Sequence, residues 1–353
     1  MEKKTKEYNR YTVLDAFKCF FWLLIVTALI SIVFQFILLI VSKAKGLVYA
    51  ELIESETVSL ISCILSPVSM IAFFFCYNGI RKVKNREAIT DGEKISLLPI
   101  SISIVLAIIC IFLFTPFMNL IGTLFESAGY VVDNTLPLQE KMTNSTGYFF
   151  LGLFIYALLP AIAEELIFRG IIQTSLASRY KGFVTIMIST LLFVLMHGSL
   201  NQTIYQFVVG IMLSYLALVG GSVIYSMILH FLNNALVVVF SCFDIVAYLS
   251  ASEAVYYNIF SMIFPFTIFL LGVALVAILF WVLKYLRNKN FFRLDEHGKF
   301  ITIDKEAVAK INAEKVGFKG FFSSMTYNEK IYSIISFIII IVIWISNTIT
   351  GFM

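Results

Sequence analysis

Long, uninterrupted apolar runs dominate the chain, and they limit its fold more than any other feature. Of its 353 residues, 60% are hydrophobic and 14% are charged, whereas a soluble domain has about 25% charged residues. A helix needs about 20 mostly apolar residues to cross a bilayer. Nine runs reach about this length, at residues 19–41, 58–78, 99–124, 148–172, 183–200, 203–220, 222–243, 257–283 and 331–349. The sequence therefore predicts an all-α polytopic membrane protein with eight to nine transmembrane helices.

Basic residues in the predicted loops indicate on which side of the membrane each loop lies. If the N-terminus is cytoplasmic, 22 of the 26 Lys and Arg residues fall in the segments then placed inside, at 1–18, 79–98, 173–182 and 284–330. This pattern predicts a cytoplasmic N-terminus. The abundance of Ile, Lys, Asn and Phe, with only 6 Pro, is typical of an AT-rich genome, so we expect an integral protein of a bacterial plasma membrane.

The positions of the runs suggest three regions. Residues 1–147 hold three predicted spans, 148–245 hold four consecutive spans, and 246–353 hold the remaining spans with a basic cytoplasmic segment at 284–330. That segment is expected to contact anionic lipid of the bilayer. The Lys and Arg residues form no stripe with interleaved aromatic residues, so nucleic acid is not an expected partner.

The fourth run carries three charges at a depth where the bilayer makes them costly: Glu164, Glu165 and Arg169. Charges inside a membrane usually pair or face a polar cavity, and they commonly mark a working site. Glu165 and Arg169 are four residues apart and share one helix face, which predicts an ion pair. Glu164 is then left without an intrahelical partner, as suits a general base or acid. Pro160, one turn earlier, is predicted to kink the helix. The alternative is that the three charges only lock neighbouring helices together.

Two of the three histidines also lie in apolar runs. His197 ends one run, and His230 lies in another with Asn234 one helical turn further on. Beside a free glutamate, two imidazoles can relay protons or bind a metal ion. His230 and Asn234 share a helix face, whereas Asn233 lies to one side, so Asn234 is the better companion for donating to an oxyanion. Counting about 1.5 Å per residue places Glu164, His197 and His230 at overlapping depths.

Four motifs in this order resemble the CPBP family of CAAX prenyl proteases and bacteriocin-processing intramembrane endopeptidases, also called Abi. The matching residues are Glu164-Glu165-x-x-x-Arg169, Phe193-x-x-x-His197, Phe207-x-x-Gly210 and His230-x-x-x-Asn234. The resemblance implies an intramembrane endopeptidase that hydrolyses a peptide bond in a membrane-associated peptide or protein. It also implies that the four consecutive spans at 148–245 form the catalytic core.

The same resemblance implies a role for each matching residue. Glu164 and His197 would activate a water molecule, and His230 with Asn234 would hold the oxyanion. Phe193 would shape the pocket, while Glu165 and Arg169 would steady it. We expect no cofactor; the alternative is a zinc ion bound by Glu164, His197 and His230.

Two further hypotheses start from the same residues. Titratable groups inside the membrane also occur in proton-coupled transporters, although the chain shows no internal repeat of the kind that many transporters have. A non-catalytic immunity or scaffold protein could keep the same helices without the chemistry. The intact set of four motifs favours the endopeptidase over both.

Overall fold

The computed structural model describes residues 11–90, 95–131, 136–243, 260–288 and 313–352. In the described part of the chain, the secondary structure consists of helices joined by loops, together with two isolated β-bridges. We number the main helices in chain order as α1 (Val13–Lys45), α2 (Glu56–Arg81), α3 (Leu97–Ser127), α4 (Thr146–Ala177), α5 (Gly182–Leu195), α6 (Leu200–Gly220), α7 (Val223–Phe243), α8 (Phe260–Asn288) and α9 (Tyr327–Thr350).

Eight of these helices are long and apolar enough to cross a membrane, and α5 is the exception. This confirms the prediction of an all-α polytopic membrane protein. Shorter helices cover Tyr49–Ile53, Asn85–Ile89, Gln139–Asn144 and Phe318–Gly320. The beginning of the eighth predicted run, at 257–259, and residues 289–312 of the basic segment lie outside the described residues.

The fifth predicted run does not form a full span, because its helix ends early. The run was expected over 183–200, but α5 stops at Leu195 after 14 residues. Gly198 follows with φ +64°, a left-handed conformation that interrupts a helix. Ser199 then caps α6, since its side chain accepts a hydrogen bond from the Gln202 amide. The break places His197 in the turn between the two helices.

Contacts between loops divide the bundle into two ends. At one end, a β-bridge joins Tyr180 to Val316, another joins Thr90 to Ser222, and Arg287 donates to Leu218 O at 2.7 Å. The segments that hold Thr90, Tyr180, Arg287 and Val316 carry the basic residues that predict the cytoplasmic side.

The opposite end joins the segments with few basic residues. Lys141 pairs with Glu56 at 2.5 Å, and Val131 N donates to Gly351 O at 2.7 Å. Loops that the charge pattern assigns to one side of the membrane thus meet one another in the fold.

Helix α4 lies at the centre of the bundle. Every residue from Leu166 to Gln173 is buried, and α4 contacts α1, α2, α5, α6 and α7. Glu165 and Arg169 are therefore enclosed by protein, as expected for polar groups that must avoid lipid.

Candidate active site

Helix α4 departs from α-helical geometry on both sides of Glu164 and Glu165. Residues Leu153–Leu158 and Leu166–Gln173 are π-helical, and the α-helical segment Leu159–Glu165 lies between them. Pro160 has no N–H to donate, so it removes one hydrogen bond from the backbone ladder just after the first wide turn. π-helical turns inside longer helices occur frequently at functional sites.

The predicted ion pair between Glu165 and Arg169 is present and fully buried. Arg169 Nη1 lies 2.6 Å from Glu165 Oε1, with both side chains at 0% exposure. Arg169 Nη2 also donates to Gly210 O at 3.3 Å, and the guanidinium lies over the Phe193 ring at 4.3 Å from its centroid. The pair therefore joins α4 to both α5 and α6.

Glu165 has a second partner that the sequence did not predict. His230 Nδ1 lies 2.9 Å from Glu165 Oε1, so the carboxylate binds Arg169 and His230 together. A carboxylate only accepts hydrogen bonds, and Nδ1 of His230 therefore carries a proton. Glu165 thus fixes the ring orientation of His230 and turns its Nε2 away from Glu165.

Nε2 of His230 is directed at Glu164. The distance from His230 Nε2 to Glu164 Oε2 is 3.8 Å, and that from His197 Nε2 to the same oxygen is 4.0 Å. These gaps are too long for direct hydrogen bonds and short enough for one water molecule to bridge. The structure thus brings together the three groups that the sequence singled out.

The three groups differ in how far they are exposed. His230 is nearly enclosed, with 2% of its side chain exposed, whereas Glu164 retains 23% and His197 17%. In the described part of the chain, Glu164 Oε2 has no hydrogen-bond partner. An enclosed acceptor without a partner is costly unless a bound molecule satisfies it.

The imidazole of His197 is oriented by a backbone carbonyl at the end of α5, the helix that precedes it. Its Nδ1 lies 3.1 Å from Phe193 O, and a carbonyl oxygen can only accept, so Nδ1 carries the proton. The remaining nitrogen, Nε2, is then an acceptor that faces Glu164. Phe193 also packs edge-on against both imidazoles, with ring centroids 4.8 Å from His197 and 6.0 Å from His230, which places it at the centre of the site.

Asn234 lies one turn beyond His230 on α7. Its neighbour Asn233 is buried and donates from Nδ2 to Asn234 Oδ1 at 3.4 Å. Tyr205 on α6 donates its hydroxyl to Asn233 Oδ1 at 2.5 Å. Sequence reasoning missed Tyr205 and set Asn233 aside. The sequence signal that could have pointed to Tyr205 was its hydroxyl group, which lies within an apolar run.

The residues proposed for zinc have suitable donor atoms. Nε2 of both histidines faces Glu164, and their Nδ1 atoms already donate to a carboxylate and to a carbonyl, as the second nitrogen of a metal-binding histidine commonly does. Within the described ranges, however, no group of three His, Cys, Asp or Glu side chains is arranged to hold a metal ion.

Fold and site together define a class of protein: a helical membrane protein whose central helix places a carboxylate near two imidazoles, and ionisable groups inside a membrane commonly mark a functional site. Residues 146–236 match a family model described as type II CAAX prenyl endopeptidase Rce1-like. The match contains all seven site residues and confirms the resemblance drawn from the motifs. It indicates a protease of the CAAX type. Neither curated proteins nor solved structures give a significant match.

Proposed function

We propose that the protein is an intramembrane endopeptidase in which Glu164 acts as general base. The observation that supports this most directly is the position of Glu164 Oε2, which is enclosed and within 3.8 and 4.0 Å of the Nε2 atoms of His230 and His197. The substrate is a membrane-associated peptide or protein. The protein acts in a bacterial plasma membrane with its N-terminus in the cytoplasm, as the charge pattern of the loops predicts.

In the proposed mechanism a water molecule is held between Glu164 and His197. Both Glu164 Oε2 and His197 Nε2 accept hydrogen bonds, so the two hydrogens of one water can be directed to them and its lone pair to the substrate carbonyl. Glu164 takes a proton as the water oxygen bonds to the carbonyl carbon. It returns that proton to the nitrogen when the C–N bond breaks, which releases the amine and leaves the carboxylate ready for another cycle.

His230 and Asn234 stabilise the oxyanion of the tetrahedral intermediate. In this role His230 carries protons on both nitrogens, because Nδ1 donates to Glu165 and Nε2 must donate to the oxyanion. A protonated His230 also balances the charge of the cluster, which otherwise holds two carboxylates and one guanidinium. Asn234 Nδ2 provides the second donor.

The test is cleavage by the purified protein in liposomes. The first substrate to try is a fluorogenic peptide with a prenylated carboxy-terminal CAAX sequence, because the matched family is described by that activity. A library of membrane-inserted peptides extends the search. We expect cleavage of at least one, and Glu164→Gln to lower kcat by about 10²–10⁴-fold. Full activity of Glu164→Gln, or no cleavage of any peptide, would contradict the proposal.

The same assay tests the zinc alternative. Cleavage that is unchanged in a strong chelator, by protein with no zinc detected by metal analysis, would support the mechanism without a metal. One bound zinc per chain and a loss of activity in the chelator would instead favour Glu164, His197 and His230 as ligands.

A further inference from the structure

Three polar side chains form a continuous hydrogen-bonded chain from α6 to α7. The Tyr205 hydroxyl donates to Asn233 Oδ1 at 2.5 Å, and Asn233 Nδ2 donates to Asn234 Oδ1 at 3.4 Å. Asn233 is almost fully buried, with 1% of its surface exposed. This hydrogen-bonded chain ends at Asn234, which lies one helical turn beyond His230.

The direction of these hydrogen bonds determines which atom of the Asn234 amide is free to bind another group. An asparagine side chain has an oxygen that only accepts and a nitrogen that only donates. The Tyr205 hydroxyl occupies the oxygen of Asn233, so the nitrogen of Asn233 is turned toward Asn234. The oxygen of Asn234 is used in turn, and its nitrogen is left as the donor.

We propose that Tyr205 and Asn233 are positioning residues that hold the Asn234 amide with its N–H₂ group toward the oxyanion. The inference rests on the proposed function, because it assigns a direction to a donor that the mechanism uses. Without the hydroxyl, the Asn233 amide can rotate by half a turn and present its oxygen to Asn234. Asn234 then turns its own oxygen toward the oxyanion, where it repels the developing negative charge instead of stabilising it.

The first experiment compares Tyr205→Phe with Tyr215→Phe in the cleavage assay. Tyr215 is a matched control, since it lies on the same helix and its hydroxyl donates to Phe280 O at 2.9 Å. We expect Tyr205→Phe to lower kcat by about 10- to 100-fold with little change in KM, because the donor acts on the transition state. Tyr215→Phe should leave kcat unchanged. An unchanged kcat in Tyr205→Phe would overturn the inference.

The second experiment asks whether Tyr205 acts through Asn234. We expect Tyr205→Phe to cause no further loss of kcat in an Asn234→Ala background, since the positioned group is already absent. Asn233→Asp keeps the acceptor for Tyr205 but removes the donor to Asn234, so it should lower kcat at least as much as Tyr205→Phe. A structural bond between α6 and α7 would instead give additive losses, and additivity would refute the positioning role.

A third measurement does not depend on cleavage. In protein with ¹⁵N-labelled asparagine side chains, the Asn234 amide signal, assigned by its absence in Asn234→Ala, should shift in Tyr205→Phe and stay unchanged in Tyr215→Phe. No shift in Tyr205→Phe would refute the positioning inference alone. Full activity of Glu164→Gln would refute the proposed function while leaving the hydrogen-bonded chain intact.

Discussion

At the scale of single residues, the site depends on how its buried charges are balanced. Glu165 receives hydrogen bonds from Arg169 and from His230, at 2.6 and 2.9 Å. Glu164, the adjacent carboxylate, receives neither of these hydrogen bonds, since His230 Nε2 lies 3.8 Å from its Oε2, and it retains partial exposure. The two neighbouring carboxylates therefore differ in their surroundings: Glu165 is held by two partners, whereas Glu164 is the general base of the proposed mechanism.

This difference predicts different effects of the two glutamates on stability. Glu165→Gln leaves the buried Arg169 charge without its counter-ion, so we expect it to lower the free energy of unfolding by about 3–5 kcal/mol. Glu164→Gln should change it little. Replacing both partners, as in Glu165→Leu with Arg169→Met, should restore much of the loss. Thermal unfolding in detergent measures all three variants, and equal melting temperatures for the two glutamine variants would contradict the assignment.

At the scale of helices, the site requires α5 and α6 to approach closely. A Cβ atom added to Gly210 would lie 2.9 Å from Thr190 Cγ2 and 3.3 Å from Phe193 Cδ1. The same approach lets Arg169 reach the Gly210 carbonyl. Small residues permit such contacts between membrane helices, and here the contact positions Phe193 against both histidines.

Gly210→Ala should therefore weaken both packing and activity. The added methyl group must push α6 away from Phe193, and overpacking of this kind costs about 1–3 kcal/mol. Gly79→Ala is a matched control, because a Cβ atom there meets nothing within 4 Å. We expect a lower melting temperature and slower cleavage for Gly210→Ala only. Equal behaviour of the two variants would show that the close approach is not needed.

At the scale of the whole molecule, the last helix supports the core from outside the family match, which ends at residue 236. At one end of α9, Glu329 binds Arg179 through both carboxylate oxygens, at 2.7 and 2.9 Å. Toward its other end, Trp344 Nε1 donates to Thr203 Oγ1 at 2.8 Å. Helix α9 thus connects the end of the charged helix with the beginning of α6.

Removal of the ion pair between Glu329 and Arg179 should lower the free energy of unfolding of the whole protein. Glu329→Ala loses the bidentate pair and the cap of α9, where Glu329 also accepts from Thr326 N at 2.8 Å. Because Arg179 is partly exposed, we expect a loss of about 1–3 kcal/mol. Glu56→Ala breaks an exposed pair with Lys141 and should have no measurable effect. Chemical unfolding compares the two variants, and a larger effect of Glu56→Ala would contradict the role of α9.

Features within a single helix were predictable from the sequence. The pairing of Glu165 with Arg169 follows from a spacing of four residues, and the eight spans follow from length and hydropathy. The early end of α5 was not predictable, because Gly198 is visible in the sequence but its left-handed conformation is not. The same holds for the bond between His230 and Glu165, which joins positions 65 residues apart.

The sequence by itself determined that this chain is a helical membrane protein. It also determined which polar residues lie inside the bilayer, where a charged side chain is unfavourable unless it is paired or functional. Helical periodicity and the energetics of the bilayer act locally, so both can be evaluated along one segment. Only the tertiary structure decided that Glu165 accepts a hydrogen bond from His230, that Tyr205 donates to Asn233, and that α9 packs against the core and donates to Thr203. Those contacts depend on how separate helices rotate and cross, and no local pattern specifies that geometry.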